Sequence, residues 1–175
     1  MLIPRLIPVL LLKNEGLVKT YKFTKPKYIG DPINAVKIFN EKEVDEIIII
    51  DIDATKTNNE PNFNLIKQIT SECFMPLCYG GGIKSVDQAS KLFSLGIEKI
   101  CIQTSAYNDL KFISELSKKF GSQSIVVCID LKKNWFGKLG MYSSAKRKNI
   151  TLDWKFFLSN AIESGAGEIM INSVD

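Results

Sequence analysis

The chain has 175 residues, of which 45% are hydrophobic and 24% charged, a balance typical of one globular domain with its own core. The net charge of +4, with lysines spread over the chain, favours a solvated surface over nucleic-acid binding. No apolar stretch approaches the roughly 20 residues of a membrane span, and Pro4, Arg5 and Pro8 interrupt the apolar N-terminus. We therefore expect a cytoplasmic protein with neither a nucleic-acid nor a membrane partner.

Two features of the composition narrow the possible chemistry. Histidine is absent, which excludes Ser-His-Asp and Cys-His triads and histidine-based zinc sites, so proton transfer must use Asp, Glu, Lys, Tyr or Cys. The four cysteines form no close pair, and three of them lie in apolar segments. We interpret them as reduced core thiols and expect neither a metal nor a cofactor.

Short apolar runs alternate along the chain with segments of helical periodicity. The pattern predicts six strands, at 6–11, 46–51, 76–82, 99–104, 124–130 and 168–173. It predicts five helices between them, at 31–43, 63–74, 85–96, 109–121 and 152–165. Asp31 and Ser85 are the expected N-caps of the first and third helices, and Pro32 suits the first helical turn.

Strands that are apolar on both faces and separated by helices predict an α/β fold with a parallel sheet covered by helices. A doubly wound open sheet and part of a (β/α)8 barrel both fit this order. The glycine-rich stretch GGGIKS does not match the GxGxxG nucleotide fingerprint. We therefore favour a TIM barrel with about six βα units in a single domain, 1–175.

Alternation along each strand groups side chains by face. At the strand starts, Arg5, Glu46, Lys99 and Glu168 share one predicted face, where they either pair with one another or face solvent. Polar residues and glycines follow the other ends of the strands, where barrel enzymes place their active sites. A lone aspartate there, such as Asp130, is either catalytic or structural.

Two segments could hold phosphate groups. The stretch YGGGI leads into a helix, and glycine N–H groups with a helix N-terminus favour anions. The stretch QTSAYND adds hydroxyl and amide donors after the fourth strand. The basic run AKRKN, residues 145–149, could attract phosphate but reads more readily as an exposed loop.

Several segments together resemble the cyclase (HisF-type) subunit of imidazole glycerol phosphate synthase. They keep the order and spacing of that family and include RLIPVLLLKNEGLVKT, GDPINAVKIFNEKEVDEIIIIDIDAT, PLCYGGGIKS, GIEKICIQTSA, FGSQSIVVCIDLK and GAGEIMINSVD. The resemblance implies a (β/α)8 barrel. It also implies a glutaminase partner at the N-terminal face, whose ammonia crosses the barrel and reacts at the C-terminal face.

The resemblance assigns expected roles to individual residues. Arg5, Glu46, Lys99 and Glu168 correspond to the family's charged gate, and Glu98 to its glutaminase contact. A channel for ammonia would be lined by Val9, Cys78, Cys101 and Cys128. A phosphorylated small-molecule substrate would be held by Lys19, Gly82, Gln103 and Thr104, although the family usually has Asn at the position of Gln103. Asp130 corresponds to one of two catalytic aspartates.

The sequence departs from the family in two respects. Leu11 stands where the family has its other catalytic aspartate, and a leucine cannot transfer a proton. Asp51 or Asp53 could substitute for that aspartate only from a displaced position on the second strand. The sequence also ends after the sixth strand, so two βα units and the second phosphate site expected near them are missing. Truncation, or pairing of the open edge with another chain, would account for that.

Three functions remain open. The stretch LLLKNEGLVKT resembles a branch of the family that supplies ammonia to a separate sugar amidotransferase in surface-glycan biosynthesis. In that role the barrel conducts ammonia and cyclises nothing. The alternatives are a true cyclase of histidine biosynthesis and a non-catalytic scaffold that activates a glutaminase.

Overall fold

The computed structural model describes residues 4–174, so residues 1–3 and 175 of the predicted domain lie outside the described part. Ten strands occur in this part: β1 Val9–Lys13, β2 Gly16–Tyr21, β3 Thr24–Gly30, β4 Ile47–Asp51, β5 Leu77–Gly80, β6 Lys99–Ile102, β7 Ile125–Lys133, β8 Leu139–Ser143, β9 Lys148–Asn149 and β10 Glu168–Ser173. Six α-helices accompany them: α1 Pro32–Glu41, α2 Phe63–Glu72, α3 Val86–Ser94, α4 Thr104–Asn108, α5 Leu110–Phe120 and α6 Trp154–Glu163.

The six predicted strands are neighbours in one parallel sheet, in the order β1, β4, β5, β6, β7 and β10. Each is connected to the next through one or two helices, as the alternating pattern predicted. The arrangement is an α/β fold of TIM-barrel type with six βα units, which confirms the predicted fold class. Among residues 4–174, no helix is long and apolar enough to cross a lipid bilayer.

Short polar side chains fix where the helices begin. The carboxylate of Asp31 accepts a hydrogen bond from the backbone N–H of Asn34, and Pro32 occupies the first helical turn. The hydroxyl of Ser85 accepts one from the N–H of Gln88 in the same way. Both predicted N-caps are therefore confirmed.

The first strand is displaced from its predicted position at 6–11. It begins at Val9 and continues to Lys13, and Pro8 contributes only its carbonyl, which accepts from the N–H of Ile48. Proline has no N–H to donate, so the segment before Val9 cannot make a regular ladder. The extension to Lys13 arises because Leu11, Leu12 and Lys13 pair with the strand that follows.

Two antiparallel hairpins were not predicted. Strands β2 and β3 return beside the end of β1, and β8 and β9 return beside the extended end of β7. Both hairpins leave the sheet at the carboxyl ends of parallel strands, on the side where barrel enzymes carry their sites. Lysines and turn residues interrupt the apolar alternation in both segments, which concealed them as strands.

The sheet separates two apolar layers. The larger layer lies between the sheet and the helices and contains Ile49, Ile100 and Val127, with Leu92 and Leu116 from the helices. The smaller layer, which we call the interior cluster, lies on the other face of the sheet and consists of Ile48, Cys78, Cys101, Val126 and Cys128. Alternation along each strand assigns successive residues to opposite layers, and the strand faces predicted from the sequence agree with this division.

Candidate functional site

Four charged side chains meet at the amino-terminal ends of the parallel strands. The ammonium of Lys99 lies 2.6 Å from a Glu46 oxygen and 2.8 Å from a Glu168 oxygen. The guanidinium of Arg5 lies 3.3 Å and 3.0 Å from the same two oxygens. The cluster thus contains two cations and two anions, each in contact with both partners of opposite sign. We call Arg5, Glu46, Lys99 and Glu168 the charge cluster.

Because Glu46 is buried and Lys99 is largely buried, each needs a partner of opposite charge. Glu46 is 1% exposed, and the Lys99 side chain is 14% exposed. Burial alone would lower the pKa of Lys99, but its hydrogen bonds to Glu168 and Glu46 outweigh this and raise it. Burial alone would raise the pKa of Glu168, but hydrogen bonds from Lys99 and Arg5 lower it. Lys99 and Glu168 therefore stay ionised around neutral pH, and each neutralises the other.

The interior cluster lies directly above the charge cluster. Its five side chains are at most 7% exposed, and three of them are thiols. Burial raises the pKa of the Cys78 thiol, so it stays protonated and uncharged. The side chains that lie between the charge cluster and the other end of the sheet are thus neutral.

A cavity of about 180 Å³ opens above the interior cluster at the carboxyl ends of the strands. Among the predicted site residues it is lined by Leu11, Gly82, Gln103, Thr104 and Asp130. Val9, Cys101 and Cys128, three of the four expected channel residues, also line this cavity, and their role in a channel stays a prediction.

The structure does not bring Lys19 into the cavity. Lys19 lies on β2 with its side chain exposed, and alternation places its neighbour Thr20 on the cavity side instead. Glu98 is exposed directly before Lys99, beside the charge cluster and at the opposite end of the sheet from the cavity. Its role as a glutaminase contact stays a prediction.

Asp130 is the buried carboxylate of the cavity, with 2% exposure. Its Oδ1 accepts a hydrogen bond from Asn172 Nδ2 at 3.1 Å, and the Cys128 thiol lies 4.0 Å from the same oxygen. Burial raises the pKa of Asp130, and hydrogen bonds from Asn172, Gln103 and Ser144 reduce that rise. The group is held in one orientation and takes up a proton more readily than an exposed carboxylate.

No second carboxylate faces Asp130 from the position of Leu11. The Oδ1 atom of Asp51 accepts from the N–H groups of Asp53 and Ala54, so its side chain closes the following turn. Asp53 forms an ion pair with Lys13 at 3.0 Å. Asp51 also lines the cavity, so its substitution for the missing aspartate stays a prediction, whereas Asp53 is held by Lys13 and is not part of the cavity lining.

Several residues at the cavity were not singled out as site residues from the sequence. The Ser144 hydroxyl donates to Gln103 Oε1 at 3.3 Å, and Phe23 of the first hairpin lines the cavity. Outside the cavity lining, Lys13 pairs with Asp53, which the sequence suggested only as a possible substitute for the missing aspartate; the two meet because β1 and β4 are adjacent, with Leu12 opposite Asp51. The pairing of β1 with β4 could have indicated the contact between Lys13 and Asp53. The positions of Ser144 and Phe23 depend instead on the hairpins, which were not predicted. Among the described residues, no group of three Cys, Asp or Glu side chains could hold a metal ion.

The partial barrel carries the charge cluster at one end and a cavity with a buried carboxylate at the other. This is the arrangement of a TIM-barrel protein whose candidate site lies at the carboxyl ends of the strands. The sequence model of a family described as "Histidine biosynthesis protein" matches residues 5–175. The chain belongs to this family, among the HisF-like subunits of imidazole glycerol phosphate synthase.

Three proteins similar in sequence to this chain agree with this assignment. A Pseudomonas aeruginosa protein with the provisional name imidazole glycerol phosphate synthase subunit hisF2 is 53% identical over 98% of this chain and 68% of its own length. A Vibrio vulnificus protein provisionally named subunit hisF3 is 49% identical over 100% of this chain and 68% of its own. Subunit HisF of Streptococcus mutans is 34% identical over 100% of this chain and 70% of its own.

The charge cluster generates a prediction about stability. Replacing Lys99 with Met leaves the buried Glu46 with Arg5 as its remaining cation, so we expect a loss of about 3 kcal/mol in the free energy of unfolding. The control is Lys37→Met, which breaks an ion pair to Glu72 whose side chains are 51% and 41% exposed and should cost about 1 kcal/mol or less. Urea denaturation measures both, and equal losses would contradict the assigned role of burial.

The buried carboxylate generates a prediction about pH. Since the pKa of Asp130 is raised above its ordinary 3.8, the folded protein retains this proton at pH values where the unfolded chain has lost it. Its ionisation therefore costs stability as the pH rises from 3.8 through the raised value, and the whole cost is present above that value. Asp130→Asn should raise the melting temperature at pH 7.5, and the gain should vanish below about pH 4.

The matched control is Glu115→Gln, which neutralises an exposed carboxylate on α5. Its melting temperature should follow that of the wild type at both pH values. Thermal unfolding followed by circular dichroism measures all three proteins. An Asp130→Asn gain that persists unchanged at low pH would mean that ionisation of Asp130 is not the cause.

Proposed function

We propose that the protein is the HisF-like subunit of a glutamine amidotransferase system and conducts ammonia to an acceptor outside the barrel. The observation that carries the proposal is the combination of a complete charge cluster with Leu11 opposite Asp130. The charge cluster and the cavity support a route from a glutaminase, and Leu11 in place of an aspartate supports the loss of one of the two carboxylates expected for cyclisation.

The lining of the route suits ammonia. Ammonia is small and uncharged, so a passage of buried apolar groups and protonated thiols admits it while disfavouring ions. The charge cluster blocks this passage at its lower end and can open only by exchanging ion pairs among its four members. A docked glutaminase would supply the contacts that stabilise such an exchange.

The glutaminase would dock at the amino-terminal ends of the strands. The exposed Glu98 lies there beside Lys99. Phe74, which is 85% exposed, precedes β5 at the same end and offers an apolar anchor of the kind that dominates protein interfaces. Charge and an exposed aromatic side chain therefore occur together next to the proposed entrance.

The acceptor that best accounts for Leu11 is an N-acetyl sugar bound to a separate amidotransferase. Amidination replaces the oxygen of the N-acetyl group by the nitrogen of ammonia, and a nucleoside triphosphate must activate that oxygen as a leaving group. None of this chemistry requires proton transfer within the barrel. Asp130 and the glycine-rich edge of the cavity would then keep the exit polar, with Gly82, Gln103 and Thr104 available to hold a phosphate.

A true cyclase is the second candidate, because Asp130 and the expected anion-binding residues Gly82, Gln103 and Thr104 lie in one cavity. A non-catalytic scaffold that only activates a glutaminase is the third. The three functions differ in what the protein does with ammonia. Activity measurements with a glutaminase therefore separate them.

We predict that the full-length protein, supplied with its glutaminase and glutamine, does not turn over the histidine-pathway substrate of imidazole glycerol phosphate synthase. Leu11 can neither donate nor accept the proton that the second aspartate would transfer, and loss of one acid-base group costs about 10²–10⁴-fold in rate. Steady-state assays and complementation of a cyclase-deficient strain measure this. Turnover at the rate of an authentic cyclase, or growth without histidine, would reject the conduit as the main function.

The charge cluster separates a conduit from a scaffold. With glutamine as the nitrogen source, Lys99→Met should lower amidination of the acceptor at least about tenfold, while activity with added ammonium chloride and binding of the glutaminase stay unchanged. The control is Lys37→Met, which lies away from the route and should behave as the wild type. Product formation and glutamate release are measured in parallel, and an equal loss with both nitrogen sources would contradict gating.

A further inference from the structure

The two hairpins concentrate positive charge at the cavity end of the molecule. We define the hairpin surface as residues 16–30 and 131–152. Of the 23 lysine and arginine residues, ten lie in these two segments, whereas none of the 19 aspartate and glutamate residues does. The remainder of the chain has more acidic than basic residues. The sequence first suggested that the lysines are evenly spread. In the structure they are instead concentrated at the cavity end.

These cations have few partners within the protein. All ten are exposed. Apart from Lys133, none forms an ion pair with a carboxylate of residues 4–174, and the ammonium groups of Lys22 and Lys132 lie over the rings of Tyr21 and Tyr142. At the opposite end, the cations of the charge cluster are fully paired. Nine of the ten cations thus have no carboxylate partner among the described residues, and together they give the hairpin surface a positive field.

Two adjacent aromatic side chains project from the turn of the second hairpin. Trp135 is 97% exposed and Phe136 is 90% exposed. The turn that carries them is well defined, because the Asn134 side chain accepts from the N–H groups of Phe136 at 3.0 Å and Lys138 at 2.9 Å. The Asn134 N–H also donates to the Lys138 carbonyl. A preformed turn that exposes Trp and Phe has the character of an interface hot spot.

Both hairpins border the cavity mouth. Thr20 and Phe23 of the first hairpin and Ser144 and Ala145 of the second line it. A macromolecule that binds across the two hairpins would therefore cover the mouth. Ammonia leaving an uncovered mouth would be protonated in water and lost, so a conduit requires such a cover.

We propose that the hairpin surface is the docking site for the enzyme that accepts the ammonia. That enzyme would present an acidic face with an apolar pocket that receives Trp135 and Phe136. This inference rests on the proposed function, because it is the conduit that requires a sealed transfer. The opposite charge of the two faces would speed association and fix their orientation, while the aromatic pair would supply most of the affinity.

Anionic membranes and RNA also attract lysines and exposed aromatic residues. We favour a protein because the hairpins surround the mouth of a cavity, whereas neither a bilayer nor a nucleic acid would receive ammonia there. These two alternatives are outcomes of the test. Vesicles containing 30% phosphatidylglycerol and a single-stranded RNA 20-mer serve as probes for them.

The test uses the full-length protein with its glutaminase. The probe is the enzyme of the same organism that amidinates a nucleotide-linked N-acetyl sugar with ammonium chloride and a nucleoside triphosphate. Isothermal titration calorimetry should show binding, and Trp135→Ala combined with Phe136→Ala should weaken it about 30-fold or more. Lys22→Glu with Lys25→Glu should weaken it at 50 mM salt and flatten its salt dependence. The control Lys67→Glu with Lys111→Glu reverses two exposed helix charges and should change neither.

Glutamine-dependent amidination should fall with the affinity in each hairpin variant, while glutamate release and ammonium-dependent amidination stay constant. Absence of binding by the wild type, equal binding by all variants, or preference for the vesicles or the RNA would overturn the docking proposal. Hairpin-dependent binding without glutamine-dependent amidination would support docking and reject the conduit. If the organism has no such amidinating enzyme, both proposals are rejected.

Discussion

The contact of Lys99 with Glu46 and Glu168 is the constraint on which the interior of this protein depends. Glu46 is buried and Lys99 is largely buried between the strands, and both would destabilise the sheet unless each were neutralised, and the more exposed Arg5 and Glu168 complete the pairing. Well-packed apolar side chains could fill the same space at equal or better stability. In the proposed function, the four charges at the base of the interior cluster would therefore serve the passage of ammonia rather than folding.

The route above the cluster follows from alternation along parallel strands. Cys78 of β5, Cys101 of β6 and Cys128 of β7 face the interior. Their sequence neighbours pack under the helices: Tyr79, Ile100 and Val127. The side chains of the two layers can therefore differ in size and polarity independently of each other. The outer layer holds the sheet and helices together, which leaves the interior cluster free to be small, neutral and suited to a small solute.

Much of this arrangement could be predicted from the sequence because it depends on local rules. Period-two patterns placed the six strands, capping residues placed the helix starts, and the face of each strand placed the charge cluster and Asp130 at opposite ends. The hairpins could not be predicted in this way, since their stability comes from pairing with β1 and β7 and not from an apolar pattern of their own. The contacts of Ser144 and Phe23 at the cavity and the pair Lys13–Asp53 depend on tertiary pairing in the same way. The roles assigned to Gly82, Gln103, Thr104 and Lys19 stay predictions, and only Lys19 lies away from the cavity.

The two ends of the molecule differ in how their charges are used. At the base, opposite charges are matched within the chain, and in the proposed function this pairing would close the passage until a docked glutaminase changes it. At the cavity end, Leu11 stands where the family has a proton-transfer group, and the hairpin cations other than Lys133 have no carboxylate partner among residues 4–174. Loss of chemistry inside the barrel and unsatisfied charge around its mouth have one common explanation. In the proposed function, the reaction would take place on a partner that supplies both the missing chemistry and the missing negative charge.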